Sequence, residues 1–415
     1  MNIFLAFLYL FDFNIIRDLS FTSSALIVLL FLIFSVAKDA RINKTIGCML
    51  GGSYNRMIIK FMTVLVLLSV IVPIIQFTFD FAYTIALVHQ LLILEIGIML
   101  VGYYKCKKGN IIEIIINAFF IQSVIQLLCF LSPTILEITD IFREADTILR
   151  REKSYVGFRG LAISGSAFFG LAVSYAFLFV ILAFYWDKWN KTGVKKLIYL
   201  GCMIFGALSA GRTSIIGILF FLIYVLLNKL SNKIYKSSLI RGILIIFFTC
   251  LIILPVYKFS LKPYIDSQPA WLRFSHYIDQ LFVEDSGYSQ KKFTIKNVSS
   301  LNNLFNNMYF RPTVKQVLIG DARYNDDGLY YMHTDVGYLR NLLFWGIGGT
   351  VLLYYYYVCI LWKNTKSSST KKIAIILIIM GFIFDVKGQT MGFLIISQSM
   401  LVLICNAYEF LDNDD

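Results

Sequence analysis

The stretch HTDVGYLRNLLFWGIGGT, at residues 333–350, places three ionisable side chains at the start of a long apolar run. The imidazole of His333 can exchange protons near neutral pH or donate to a phosphate, and Asp335 can orient it or act as a base. Arg340 lies about two helical turns further on, where it faces the same way or pairs with Asp335. We predict that His333 and Asp335 are catalytic. The alternative is a solvated histidine and a helix cap that pairs with Arg340.

Further arginines lie at the edges of other apolar runs, in VGFRGLAISGSAFFG (Arg159), LSAGRTSIIG (Arg212) and YFRPTVKQVLIGDARY (Arg311 and Arg323). Guanidinium groups stay charged at any accessible pH and bind phosphate oxygens in pairs. Several of them around one cavity suit a diphosphate. We therefore predict a diphosphate site built from Arg159, Arg212, Arg311 and Arg340, with Gly170, Arg323 and Tyr338 as supporting residues.

Each arginine also has a plainer interpretation. Arg159 could anchor a helix end by extending its side chain towards water, although the glycines and serines that follow it permit close backbone approach. Arg212 separates two apolar halves, so that SAGRTS leaves backbone groups free to line a cavity. Arg323 lies among Asp321, Asp326 and Asp327, and this cluster could be a solvated loop.

The elements that must position these side chains are hydrophobic. Of 415 residues, 58% are hydrophobic and only 15% are charged, which exceeds the apolar share of ordinary soluble domains. Apolar runs of roughly 17 to 25 residues cross a bilayer as helices, because lipid offers no partner to backbone polar groups. We predict an all-α, polytopic integral membrane protein with one membrane domain, 1–415, and about twelve spans: 2–16, 20–37, 57–79, 82–104, 110–132, 160–186, 195–210, 212–228, 239–257, 335–362, 371–387 and 389–409.

Basic residues in the short connections predict the orientation. They recur in alternate connections, at 38–60, 105–108, 188–196, 229–241 and 363–372, and this side should be cytoplasmic. Both termini are then cytoplasmic. Two long loops, 133–158 and 258–334, fall on the other side, and the second is predicted to form a partly helical cap.

Several classes of protein and site are disfavoured. The seven cysteines lie in or beside apolar stretches, which argues against a disulfide framework and a zinc site. The net charge of +13 is spread over many loops, which argues against a nucleic-acid partner. GxxxxGK[ST], HExxH and GxSxG motifs are absent from the sequence, which argues against an ATP-driven pump and a metalloprotease. We expect no metal and no cofactor.

In their order along the chain, these motifs resemble those of the O-antigen polymerase (Wzy-type) and O-antigen ligase group of bacterial envelope proteins. LSAGRTSIIG is similar to the family's arginine between small residues at a helix start, which gives Arg212 that role. RGLAISGSAFFG fits a spacing of arginine, ten residues and glycine, matching Arg159 and Gly170. RPTVKQVLIGDARY and HTDVGYLRNLLFWGIGGT resemble the loop arginine, glycine turn, histidine and glycine-rich helix of the ligases, which carries over Arg311, Gly320, His333, Gly337 and Gly346.

The resemblance implies a metal-independent glycosyltransferase that polymerises lipid-linked O-antigen repeat units at the periplasmic face of the bacterial inner membrane. Undecaprenyl-diphosphate-linked oligosaccharide would be both donor and acceptor, membrane lipid would surround the enzyme, and a chain-length regulator protein is a candidate partner. His333-Thr334-Asp335 differs from the His-Asn or His-Ser of ligase-like sequences, which favours a polymerase. Trp271, Tyr330 and Tyr331 could stack on sugars or belong to an interfacial aromatic belt.

Two other functions stay open at this point. An O-antigen ligase uses similar parts but transfers finished polymer to the lipid A core. A lipid-linked oligosaccharide flippase or transporter belongs to a different class, and more often has related halves and charges near mid-membrane. Here the charges lie near the outer ends of the predicted spans, and no internal repeat is evident.

Overall fold

The computed structural model describes residues 1–15, 23–154, 158–231, 308–326, 329–391 and 394–411. Most of these residues are helical. The helices are α1 (Asn2–Phe11), α2 (Ser23–Lys38), α3 (Ala40–Gly51), α4 (Ser53–Ile75), α5 (Ala82–Cys106), α6 (Ile111–Leu131), α7 (Pro133–Asp140), α8 (Ala145–Ser154), α9 (Phe169–Tyr185), α10 (Gly193–Ala210), α11 (Ile215–Ser231), α12 (Val314–Ile319), α13 (Gly337–Trp362), α14 (Ser368–Asp385) and α15 (Ile395–Cys405). A two-residue antiparallel hairpin pairs β1 (Asn325–Asp326) with β2 (Leu329–Tyr330).

Five helices in the described residues are long and apolar enough to cross a membrane: α4, α5, α6, α10 and α13. Shorter apolar helices accompany them, among them α1, α2, α9, the 212–228 stretch and α15. This architecture is that of an all-α membrane protein. Eleven of the predicted spans coincide with a helix, and the span at 239–257 lies outside the described residues. Twelve membrane crossings stay a prediction. The assignment of 133–158 and 258–334 to two separate long loops also stays a prediction.

Two of the predicted spans begin six or more residues later than expected. The span predicted at 160–186 contains α9, which starts at Phe169, because residues 158–168 form an irregular segment instead. The span predicted at 389–409 contains α15, which starts at Ile395. Both irregular stretches lie at the same end of the bundle, where their backbone groups are held by side chains described below.

Connections between helices gather at two ends of the bundle. At the end we call the loop end, the backbone N–H of Gly165 donates to Phe11 O at 2.9 Å, and Thr78 Oγ1 donates to Ala322 O at 2.8 Å. At the opposite end, which we call the lysine-rich end, Lys105 pairs with Glu409 at 3.1 Å. The connections 38–60, 105–108 and 363–372 meet at the lysine-rich end, where Cys48, Lys105 and Lys366 line one pocket. Which side of a membrane this end faces stays a prediction.

Helix α9 is the central column. Its residues from Gly170 to Ala183 are all buried, as expected of a helix that is hydrophobic on every side. Polar side chains tie it to its neighbours: Tyr175 Oη donates to Gln126 Oε1 at 2.9 Å, and Gln126 Nε2 donates to Ser209 Oγ at 2.8 Å. This chain of hydrogen bonds joins α6, α9 and the last turn of α10, and thereby fixes the loop end of α10.

Helix α13 is interrupted at Gly346, where φ is +66° and ψ is −176°. Gly320, with φ +72°, lies directly against this break, because a Cβ added to Gly320 would lie 2.7 Å from Gly346 N. The N–H of Asp321 then donates to Leu343 O, a carbonyl near the break, at 2.6 Å. The two glycines therefore allow the end of α12 to pack on an open turn of α13.

Gly346→Ala tests this packing. Its φ and ψ lie in a region that essentially only glycine occupies, and the new Cβ would lie 2.5 Å from Leu318 O. We expect a loss of about 2 to 3 kcal/mol of stability, seen as a lower melting temperature in detergent. Gly348→Ala is the matched control, because its Cβ meets nothing within 4 Å, and it should stay within about 1 kcal/mol of wild type. Equal effects would contradict the packing.

Candidate functional site

Two buried arginines hold the irregular segment 158–168 in place. Arg143 donates from Nε to Ala162 O at 2.9 Å and from Nη2 to Leu161 O. Asp140 accepts from Arg143 and, at 2.7 and 2.8 Å, from both terminal nitrogens of Arg151. Carbonyls that leave helical geometry next to an apolar bundle need such donors. The segment that carries Arg159 is therefore anchored to the α7–α8 connection by Arg143, which Asp140 of α7 holds in place together with Arg151 of α8.

Arg159 reaches across the loop end to the last residue of α10. Its Nε and Nη2 donate to Ala210 O at 3.3 and 3.2 Å, and its Cζ lies 5.7 Å from the ring centroid of Phe168. Gly211 leaves room for this contact, because a Cβ there would lie 2.9 Å from Arg159 Nη2. A cation at the C-terminal carbonyls of a helix is favoured by the helix dipole. The guanidinium is half-buried, so it caps α10 and still borders solvent.

Arg212 begins the 3₁₀ turn Arg212–Ser214 that separates α10 from α11, as the interrupted apolar run predicted. Next to it lies Lys387, which the sequence analysis did not single out. Lys387 Nζ donates to Thr213 Oγ1 at 3.4 Å. Lys387 belongs to the connection between α14 and α15, so three separate parts of the chain bring Arg159, Arg212 and Lys387 together.

The charges of these three residues act on one another. The pKa of Lys387 is lowered from its ordinary value, first because surrounding protein displaces water, and then because Arg159 and Arg212 repel its positive charge. The side chain is nevertheless exposed at the surface. We call Arg159, Arg212 and Lys387 the cation cluster. Its members are crowded enough to repel each other and open enough to meet a ligand.

Arg311, His333 and Asp335 lie at the rim of the loop end, and all three are exposed. Thr334 fixes this region, since it is buried and donates from Oγ1 to Met308 O at 2.9 Å. Among the described residues, none of the three rim side chains forms an ion pair or hydrogen bond. His333 has φ +52°, a strained value of the kind that clusters at functional sites.

The segment of Arg311 also contacts the connection that carries Lys387. Tyr309 Oη donates to Val386 O at 3.3 Å, and its ring lies 5.8 Å from that of Tyr338. Tyr338, predicted as a supporting residue, thus helps to position this segment. No described contact joins Arg311 directly to the cation cluster.

Arg340 has an environment different from that of the other arginines. It is 7% exposed, and its Cζ lies 4.1 Å and 3.5 Å from the ring centroids of Tyr324 and Tyr330. Its Nη2 makes no hydrogen bond to the described residues. Cation–π contact with two tyrosines therefore holds it. Neither the predicted pairing with Asp335 nor a direct place in the cation cluster is observed.

A buried polar network connects Arg340's surroundings to the connection that carries Lys387. Tyr324 Oη donates to Gln389 Oε1 at 2.9 Å. Asn341 Oδ1 accepts from Gln389 Nε2 and, at 2.9 Å, from Tyr83 Oη. Asp385 Oδ1 accepts the N–H of Thr390 at 2.7 Å. The short connection 386–391 is thus held in one conformation from inside the protein.

The remaining candidate residues have packing roles. A Cβ on Gly337 would lie 2.5 Å from Asp385 Oδ1, and one on Gly170 would lie 2.3 Å from Ser166 Oγ. Both glycines allow close approach near the loop end, and Gly320 and Gly346 do so at the break in α13. Arg323 and Asp326 are exposed, whereas Asp321 is half-buried and accepts from Gln316 Nε2 at 2.7 Å and from Tyr331 Oη at 3.1 Å. Trp271 lies outside the described residues.

Comparison with known proteins gives no relative: no protein-family model, curated protein or solved structure matches the chain.

Lys387 could have been found in the sequence by one signal. It is the last residue of the predicted span 371–387, at the end where the predicted short connections are nearly bare of basic residues. Arg143 and Arg151 gave no such signal, because their partners are backbone carbonyls and a carboxylate that only the folded loop brings near. The loop end thus brings three cations together, and His333 and Asp335 are exposed on a separate segment of the chain.

Asp140 gives the anchoring of this site a pH dependence. Burial raises the pKa of its carboxyl, but hydrogen bonds from Arg151 and Arg143 outweigh burial, and the net pKa is lowered. A lowered folded-state pKa adds stability above the unfolded value, near 4, that is lost as pH falls through the folded value. Asp140→Asn should therefore destabilise by about 2 kcal/mol at pH 7, with the difference from wild type shrinking below about pH 4.

Melting temperatures from pH 7 to pH 3 measure this effect. Asp146→Asn is the control, because Asp146 and its partner Arg150 are mostly exposed, and it should change stability by less than about 0.5 kcal/mol. A pH-independent loss in Asp140→Asn would contradict the role of the charge.

Proposed function

We propose that the protein is a glycosyltransferase that polymerises undecaprenyl-diphosphate-linked O-antigen repeat units at the periplasmic face of the bacterial inner membrane. The observation that carries the proposal is the cation cluster at the loop end, the end that the positive-inside pattern assigns to the periplasm. The resemblance of LSAGRTSIIG and of the 311–350 motifs to the polymerase and ligase group supports the same reading.

The ligand of the cluster follows from its charge. Three cations close enough to repel each other are stabilised when an anion binds among them. Two guanidinium groups and an ammonium together suit a diphosphate, which offers several oxygens to fork-shaped and single donors. In a membrane-embedded enzyme whose ligand end faces the periplasm, a lipid-linked diphosphate sugar is a substrate of the right chemistry.

This reaction depends more on stabilising the negative charge of the leaving diphosphate than on protein groups that form covalent bonds to the substrate. The bond between the anomeric carbon of the growing chain and a diphosphate oxygen breaks, and its electron pair stays on the undecaprenyl diphosphate. A sugar hydroxyl of the incoming repeat forms the new bond to that carbon and loses its proton. Arg159, Arg212 and Lys387 stabilise the charge that develops on the leaving diphosphate.

We assign the acceptor side of the reaction to His333 and Asp335. Both are exposed at the rim, next to the segment of Arg311 that contacts the connection carrying Lys387. We assign to one of them the removal of the acceptor proton and to the other its orientation. Arg311 would contact a phosphate from the outer side, whereas Arg340 supports the wall of the site through Tyr324 and Tyr330.

The test of the proposal is a reaction in vitro. Purified protein is mixed with undecaprenyl-diphosphate repeat units, without ATP or added metal, and the products are resolved on a gel. Wild type should give a ladder of lengths, and Arg212→Ala or Lys387→Ala should lower the rate about 100- to 1,000-fold. Arg150→Ala removes an exposed arginine outside the site and should react like wild type. A wild-type ladder from Arg212→Ala would remove that residue from the site.

The same assay separates the alternatives. Transfer of polymer to lipid A core without a ladder would identify a ligase. Movement of the intact lipid-linked unit across proteoliposomes, with no new glycosidic bond, would identify a flippase.

Substitution of the rim residues makes a separate prediction. His333→Ala or Asp335→Ala should lower the polymerisation rate about 100- to 10,000-fold, because general-base assistance is lost while the diphosphate site remains. Binding of the lipid-linked donor, measured by its protection against thermal unfolding, should be unchanged. Loss of donor binding in these variants would show that the rim binds the diphosphate instead of assisting the acceptor.

A further inference from the structure

An exposed apolar patch lies at the loop end, where the α4–α5 connection meets α12. Gln76 Nε2 donates to Ile319 O at 2.9 Å, and Thr78 Oγ1 donates to Ala322 O at 2.8 Å, so these two segments form one surface. Exposed apolar patches of this kind mark sites that contact a membrane or another protein. We call it the loop-end patch, and its six residues are all more than half exposed: Ile75, Phe77, Phe79, Val314, Leu318 and Ile319.

A strained backbone directs two aromatic rings of the patch away from the protein. Phe77 has φ +55° and Phe79 has φ +54°, values that bulky side chains rarely adopt. Thr78 lies between them and faces the protein, because its N–H donates to Pro73 O at 3.0 Å and its hydroxyl donates to Ala322 O. In water this arrangement would combine backbone strain with the exposure of two phenyl rings. An apolar medium around the rings removes the second of these costs.

The patch continues the exposed faces of two helices that are long and apolar enough to cross a membrane, α4 and α13. On α4, Leu67 and Ile71 are exposed one helical turn apart and lead to the patch residue Ile75. On α13, Val351 and Ile347 are exposed in the same way and lead to the break on which α12 packs. The patch is therefore continuous with the lipid-facing surface of the bundle.

The apolar lengths of these two helices show how far the hydrocarbon extends at the loop end. After Lys60, the last charged residue of α4, 15 uncharged residues reach Ile75 and rise about 22 Å. On α13, residues 347–362 lie between the break and Lys363 and rise about 24 Å. A typical hydrocarbon core is about 30 Å thick. With one boundary at Lys60 and Lys363, the hydrocarbon extends about 6 to 8 Å past Ile75 and the break, which is where the patch lies.

The exposed face of α12 also carries one charge. Lys315 lies on this face with Val314 and Leu318. A lysine stem can lie along apolar surface while its ammonium extends to water or to a headgroup phosphate. Apolar side chains with a flanking cation are typical of helices that lie at the boundary between hydrocarbon and headgroups.

We propose that the loop-end patch is inserted into the hydrocarbon of the lipid leaflet at the loop end, so that α12 lies in the membrane interface. The partner is the acyl chains of the bilayer, and Lys315 contacts headgroup phosphates. The sequence analysis assigned residues 258–334 to a loop outside the membrane, and the proposal moves α12 out of that aqueous loop. Arg311, three residues before α12, is thereby held at the level of the headgroups. The proposal does not depend on the glycosyltransferase reaction.

The depth of the patch is measured on the full chain in nanodiscs of phosphatidylethanolamine and phosphatidylglycerol. A spin label is attached to Phe77→Cys, Val314→Cys or Leu318→Cys, one at a time, in a parent with Cys48→Ser whose own signal is subtracted. Electron paramagnetic resonance then compares collisions with O₂, which concentrates in hydrocarbon, and with a nickel chelate, which stays in water. The three labels should lie about 5 to 10 Å below the phosphate level.

Two reference positions calibrate the measurement. Leu67→Cys places a label on the exposed face of α4, well inside the apolar run, and should favour O₂ strongly. Asn325→Cys places a label at the loop end but outside the patch, on an exposed residue of the hairpin, and should favour the nickel chelate. Labels on two separate segments of the patch are used so that one variant that fails to fold does not decide the result.

Two outcomes would overturn the proposal. Labels at Phe77 and Leu318 that collide with the nickel chelate as often as the label at Asn325 would place the patch in water. Labels that collide with neither reagent would show that protein covers the patch, either a second copy of the chain or another partner. Because no glycosidic bond is measured, either failure leaves the polymerase proposal untouched.

Discussion

One constraint governs the loop end: backbone that leaves helical geometry inside an apolar bundle must find partners for its polar groups. The protein meets it in three places. Arg143 donates to the carbonyls of Leu161 and Ala162, Arg159 donates to Ala210 O, and Asp321 N donates to Leu343 O. Two of the three solutions use a guanidinium. The requirement to satisfy carbonyls therefore concentrates guanidinium groups at one end of the bundle.

The arginines consequently differ in the partners that their guanidinium groups already have. Arg143 and Arg151 are buried and share Asp140, and Arg340 is enclosed by two tyrosine rings. Arg159 has an intermediate position, because it caps a helix and borders solvent. Counting arginines near the loop end would overstate the proposed anion site. Their burial and their partners distinguish the arginines that only support the structure from those that border solvent.

Hydrophobic runs predicted the helices well, since burial in lipid or in the bundle depends on composition over a long window. Boundaries were less predictable at 158–168, where Arg143, in the connection between α7 and α8, donates to the carbonyls of an irregular backbone. The interruption before Arg212 was predicted from SAGRTS, because small residues and a charge break an apolar run locally. Lys387 and the stacking of Arg340 were missed, because both depend on contacts between residues far apart in sequence.

The connection 386–391 has an energetic consequence. Its conformation is set from within by Asp385, Gln389, Tyr324 and Asn341, none of which belongs to the cation cluster. The backbone of Lys387 is therefore ordered before the proposed anion binds. Immobilising a flexible side chain on binding typically costs about 0.5 to 1.5 kcal/mol. Because its backbone is fixed in advance, only the side chain of Lys387 remains to be ordered when the proposed diphosphate binds.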